Sequence, residues 1–156
     1  MEIGSRRLDH LEDRPWTRRA CFVVGVVAVP AVWVALRLTG ARLVRGLMAD
    51  NVSAATKIPV PFAMEDVERL GAIMTRAART SRLPGTCLAR ALVLRRLLAH
   101  CGVPAQIVIG ARPLKDRLDA HAWVEVAGHP VNEPADIARQ YVPFRSPPAA
   151  MVMRFS

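Results

Sequence analysis

Hydrophobic and polar positions along the chain change period several times, and the changes predict the elements. From Glu65 onward, Val67, Leu70, Ile73, Met74, Ala77 and Ala78 recur at i, i+3, i+4 and i+7, the spacing of one helix face. Glu65, Asp66 and Glu68 fall in its first turn, where the helix dipole favours acids. A second set, Leu88, Ala91, Leu92, Leu94, Leu97 and Leu98, predicts a helix with a wide buried face. Pro84, Gly85 and Thr86 break the pattern before it and offer Thr86 as N-cap, so that Cys87 opens the helix; Gly102 and then Pro104 end it.

The period then drops to two. Gln106-Ile-Val-Ile109 is a short β-branched run, and Ala120 to Val126 alternates, with His121, Trp123 and Glu125 on one face and Ala122, Val124 and Val126 on the other. Ala127-Gly128 supplies a turn and His129 to Asn132 a return strand. Tyr141-Val-Pro-Phe144 reads as an edge segment, where proline is tolerated.

The N-terminal third follows a different pattern. Between Arg19 and Arg37 lie 17 uncharged residues, ACFVVGVVAVPAVWVAL, just under the roughly 18 that make a membrane span. Gly25 and Pro30 weaken a soluble helix and are tolerated in a membrane one, yet such β-branched runs also occur in buried segments. A buried or surface-docked helix is the favoured reading. Leu38, Ala41, Val44, Leu47 and Met48 continue at helical spacing with Arg37, Arg42 and Arg45 interleaved. A solvated face is the default for that stretch, and anionic lipid or a partner the alternative. Asp50 to Pro61 carries turn and linker chemistry, and divides the chain into an N-terminal helical extension, 1–58, and a main domain, 59–156.

Composition narrows the function classes. The 156 residues suit one domain with a core plus a short extension, and 52% hydrophobic against 22% charged residues predicts a folded chain. A formal charge of +9 favours an anionic partner, but aromatics at 5% and scattered basic residues leave no reading element for nucleic acid. Cys21, Cys87 and Cys101 are odd in number and form no CxxC pair, which argues against a disulfide framework and a thiolate zinc site; no metal or cofactor is expected. The polar start and the lack of a small-residue cleavage signature argue against secretion. The expected setting is the cytoplasm, with the apolar run holding the protein at, or anchoring it in, the inner face of the membrane.

Cysteine is nucleophilic as the thiolate, and a helix start favours that negative charge, so Cys87 is the candidate nucleophile. Cys21 and Cys101, on apolar stretches, read as small hydrophobes. A thiol needs a base, and His121, at a strand start among apolar neighbours, is better placed than His10, His100 or His129. The third member should orient the imidazole. A three-residue loop, Val126-Ala127-Gly128, ends on glycine at the left-handed position, pairs Glu125 with His129, and sets Glu133 opposite His121. A two-residue loop would need positive φ at Ala127 and bring Asn132 to the histidine's face. Asp136 or Asp119 could reach it around a bend. The order of preference is Glu133, Asn132, Asp136.

The segment Cys-Leu-Ala-Arg-Ala-Leu-Val-Leu-Arg-Arg-Leu-Leu from Cys87 to Leu98, with Gly102-Val-Pro-Ala, Ile109-Gly110, His121-Ala-Trp-Val-Glu125, Gly128 and Val131-Asn132, resembles the lasso-peptide biosynthesis leader peptidases, a transglutaminase-like group. The resemblance covers roughly Leu83 to Phe144. It implies a papain-like or transglutaminase-like α+β fold and a Cys-His-acid triad on Cys87, His121 and the acidic position 133, where the family usually carries aspartate. It implies a cysteine endopeptidase that removes the leader from a ribosomally made precursor peptide. The implied partners are a separate leader-recognition protein and an ATP-dependent macrolactam synthetase. Two rival readings use the same chain: an acyl transferase with the same triad and an amine acceptor, and a non-catalytic adaptor at the membrane surface.

Overall fold

The computed structural model describes residues 15–39, 63–80, 82–83, 86–115 and 117–144. In chain order its elements are α1 (Pro15–Thr39), α2 (Met64–Thr80), α3 (Cys87–His100), β1 (Gln106–Leu114), β2 (Arg117–Val126), β3 (His129–Pro130), α4 (Ile137–Gln140) and β4 (Val142–Pro143). The strands form one antiparallel sheet in the order β3-β2-β1-β4. Helices grouped before an antiparallel sheet make this the expected α+β fold. The basic stretch after Thr39, the boundary at 58/59, Pro84, Gly85 and His10 lie outside the described residues.

The core is the meeting of period-3.6 and period-2 faces. Val67, Leu70 and Met74 of α2 and Leu88, Ala91, Leu94 and Leu98 of α3 are buried with Ile109 of β1 and Ala122, Val124 and Val126 of β2. The opposite face of the sheet carries a smaller cluster, in which Trp123, fully buried, packs with Ile137 and Tyr141. The alternation read from Ala120 to Val126 is therefore the observed division of β2 between two faces. Helix α1 shares the main core through Val29, also fully buried, and through Gly25, where a Cβ would sit 2.7 Å from Ala77 Cβ.

Three local expectations change. Thr86 stands at the start of α3 but makes no side-chain cap; its carbonyl accepts from Arg90 N–H at 2.8 Å and opens the helical ladder. The return strand is shorter than 129–132 and covers only His129–Pro130. The hairpin takes the two-residue turn: Val126 pairs with His129 and Glu125 with Pro130, with φ of 50° at Ala127 and 80° at Gly128. Left-handed alanine costs about 1 kcal/mol or more. In return, Val131 donates to Val124 O at 3.0 Å and joins the core cluster with Val124 and Val126. The three-residue loop would shift the pairing by one and turn Val131 to the other face, so burial of one valine outweighs strain in one alanine.

Candidate active site

Helix α3 begins at Cys87, so the first N–H groups of the helix, including that of the cysteine, have no acceptor within it and direct partial positive charge at the thiol. His121 stands on β2 close enough to that thiol for the Cys87 side chain to act on its titration. On its other side, His121 Nε2 lies 3.1 Å from Glu133 Oε1. The three residues singled out by the sequence are thus brought together in the order thiol, imidazole, carboxylate.

Glu133 arrives there by a different route from the one expected. It is not a ladder partner of His121, because β3 ends at Pro130 and the chain bends through Val131, Asn132 and Glu133. Asn132 is buried and occupied elsewhere: its Oδ1 accepts from Val124 N–H at 2.8 Å. Asp136 is exposed and accepts from Gln140 Nε2. Asp119 accepts from the Tyr141 hydroxyl at 2.8 Å and from Arg112 Nε at 2.9 Å. Among the four candidates for the third position, Glu133 alone makes a direct contact with the imidazole.

The bend is seated by α2. A Cβ at Gly71 would lie 1.8 Å from the Val131 carbonyl oxygen, so the helix and the turn meet backbone to backbone. One helical turn on, Thr75 Oγ1 donates to Asn132 O at 3.3 Å. These two contacts bracket the residues immediately before Glu133.

The residue that sequence reasoning missed is Arg90. Its Nη2 donates to Glu133 Oε1, the oxygen that also faces His121. Arg90 is buried and stands three residues after Cys87, so the two share one side of α3. No local signal marked it, since the same helix also carries Arg95 and Arg96. Its Nε is buried without an acceptor among the described residues, so the guanidinium forgoes one hydrogen bond while holding the carboxylate.

Tyr141 and Gly110 shape the surroundings. The Tyr141 ring stacks on the imidazole with centroids 5.1 Å apart and planes at 29°. It is fixed by its bond to Asp119 and by Arg112, whose guanidinium lies 4.6 Å from the ring centre. Gly110 pairs with His121 across the sheet; a Cβ there would come within 3.0 Å of both the Trp123 ring and Val142 O. The absence of a side chain at 110 lets Trp123 lie under β1 while β4 closes the edge. Trp123 Nε1 donates to Glu125 Oε1 at 2.8 Å, satisfying its buried donor.

The electrostatics follow from these contacts. Burial opposes charge on His121, but hydrogen bonds with Cys87 and Glu133, and their negative charge, outweigh it and push the imidazole up to about 9. Burial likewise opposes charge on Glu133, yet the bond from His121 and the Arg90 cation hold it below the usual carboxylate value. Burial raises the thiols of Cys21 and Cys101. The site therefore favours an imidazolium beside an anionic carboxylate.

No curated protein and no solved structure matches the chain. The family model for the transglutaminase-like superfamily matches residues 25–146, which takes in most of α1 and every later described element. With that match over most of its length, and with its α+β fold, the chain belongs to the transglutaminase-like superfamily.

Proposed function

We propose that the protein is a cysteine endopeptidase that removes the leader from a ribosomally made precursor in lasso-peptide biosynthesis. The superfamily includes cysteine peptidases and acyltransferases, so the choice rests on the site and on the motifs around it. The single observation that supports the catalytic part is His121 Nε2 lying 3.1 Å from Glu133 Oε1, with the Cys87 thiol that opens α3 acting on the same imidazole. The lasso-specific part is supported by the Cys-Leu-Ala-Arg and His-Ala-Trp-Val-Glu segments, which carry the resemblance and also supply Cys87, Arg90 and His121.

In this reading the Cys87 thiolate attacks the scissile carbonyl carbon, and the electron pair of its double bond moves to oxygen. The N–H of Cys87 at the helix start is a donor for that oxyanion. Collapse re-forms the carbonyl and breaks the C–N bond, and the imidazolium of His121 gives its proton to the leaving amine. Neutral His121 then takes a proton from water as it attacks the thioester. A second collapse expels the Cys87 thiolate with the imidazolium restored. Glu133 orients the ring and stabilises its charged form, and Arg90 positions Glu133.

A separate leader-recognition protein and an ATP-dependent macrolactam synthetase are the proposed partners, and the cytoplasm, with contact to the inner membrane surface, the proposed setting. The test is mass-spectrometric analysis of lasso precursor peptides incubated with the protein, with and without a leader-recognition partner. Cleavage at one site that disappears in Cys87→Ala supports the peptidase. Transfer of the acyl group to an added amine in preference to water would replace it with the acyl-transferase reading.

A further inference from the structure

Helix α1 is apolar on two opposite sides, and the fold uses one of them. Cys21, Gly25, Val29 and Leu36 face α2 and α3 and pack in or against the core. The other side carries Val23, Val27, Val34 and Leu38, exposed by 58%, 65%, 46% and 81%. At 100° per residue these four fall within about 60° of arc, and their 15-residue span covers roughly 22 Å of one stripe. Isolated exposed valines are ordinary on a soluble domain; a continuous row along a helix marks an interaction surface.

The charges around the stripe indicate its occupant. From Pro15 to Thr39 the helix contains no Asp or Glu. Arg19 and Arg37 are both exposed. They are 18 residues apart, five full turns, so they stand at the same angle on one flank of the stripe, about 27 Å from each other. The Arg37 guanidinium rests over the Trp33 ring at 4.8 Å, at the end of the helix. The stripe itself offers only small aliphatic side chains. A protein interface of this kind would be centred on aromatic or Met anchors, whereas a lipid surface needs only apolar area between cations.

We infer that this face of α1 lies in the plane of an anionic phospholipid bilayer, with Val23, Val27, Val34 and Leu38 among the upper acyl chains and Arg19 and Arg37 at lipid phosphates. The chain's +9 charge adds long-range attraction to such a surface. A spanning orientation is disfavoured by the packed side: removing α1 from the domain would uncover Val29 and the close contact of Gly25 with Ala77 and Met74. The inference does not depend on the catalytic reading.

The experiment is co-sedimentation of the full-length protein with phosphatidylcholine vesicles with and without phosphatidylglycerol, followed by alkaline carbonate extraction. Binding should require phosphatidylglycerol, weaken as salt is raised, and be released by carbonate. Val27→Asp with Val34→Asp should weaken it at least about tenfold, and Arg19→Gln or Arg37→Gln about fivefold each. All of these variants should keep the wild-type melting temperature, because the four side chains are exposed. Absence of vesicle binding would overturn the proposal. So would carbonate-resistant binding, which means a spanning helix, and so would a vesicle-independent dimer dissolved by Val27→Asp, which means a second copy covers the stripe.

Discussion

Arg90 and His121 meet the same oxygen of Glu133: Arg90 Nη2 donates to Oε1, and His121 Nε2 lies 3.1 Å from it. Because Arg90 and Cys87 are three residues apart on one helix, a single rigid element carries both the thiol and the group that holds the carboxylate. The separation of Cys87 from His121 is therefore set largely by the placement of α3 against β2.

Replacing Arg90 with Met should lower kcat by at least about tenfold with little change in KM, and destabilise the fold by about 3 kcal/mol, since it leaves a half-buried carboxylate without its cation. Glu133 is held low by burial being outweighed by His121 and Arg90, so its protonation should move upward in the variant. The acid limb of the pH–rate profile should shift toward neutral, and Arg90→Lys should restore part of the shift. An unchanged acid limb in Arg90→Met would remove Arg90 from the mechanism.

Iodoacetamide should alkylate Cys87 faster than Cys21 or Cys101, whose thiols burial raises. Peptide mapping after brief labelling near neutral pH reads the order directly. Fastest labelling at Cys101 would sink the nucleophile assignment. Cys87→Ala and His121→Ala should each abolish measurable turnover.

If His121 protonates the leaving amine as proposed, the alkaline limb of activity should fall near pH 9, where the imidazole loses its proton. Stability should follow the same groups. The imidazolium's contribution is fully present below its ordinary value of 6.5 and is lost as pH rises through about 9. The Glu133 contribution is present above its ordinary 4.5 and is lost as pH falls through its lowered folded value. Chemical denaturation should thus show both contributions together between pH 4.5 and 6.5, with His121→Ala removing the alkaline loss and also weakening the acid one, because the imidazole helps to hold Glu133 low.

Glu133→Gln should retain more activity than His121→Ala, since an orienting group contributes less than the base it orients. Asp136→Asn should have no effect on turnover, because Asp136 contacts Gln140 rather than the imidazole. A larger loss in Asp136→Asn than in Glu133→Gln would show that the acid had been misassigned.

Ala127→Asn should stabilise the hairpin by about 1 kcal/mol, because asparagine tolerates the left-handed conformation that alanine holds at φ 50°. Equilibrium unfolding checks it, with turnover expected to be unchanged. No gain in stability would mean the strain is relieved in another way.

Much of this arrangement is legible in the sequence wherever periodicity and chemistry coincide. The helix opened by Cys87 and the alternating strand around His121 follow from their side-chain spacing, because each buries one face against the other. Glu133 is also readable, but by an argument whose register the structure replaces: local turn preference favours glycine at the bulge, whereas burial of Val131, a tertiary effect, selects the two-residue turn. Arg90 and Tyr141 were not legible as site residues. Their roles depend on contacts across 43 and 20 positions of chain, with Glu133 and with His121, which no local pattern encodes. The boundary at 58/59 came from linker composition, which carries no information about the packing of α1 on the main core.

The backbone contact at Gly71 gives α2 and the turn before Glu133 a joint history. Even one methyl group at 71 would collide with the Val131 carbonyl, so the turn can change length or path only as the helix is redrawn with it. Gly71→Ala should therefore displace Glu133, lowering turnover about tenfold or more while leaving Cys87 open to alkylation. For anyone transplanting this chemistry into another scaffold, the smallest unit to move is not three side chains. It includes the glycine-faced stretch of α2, a dozen and more residues upstream of the cysteine, as the mould in which the acid is cast.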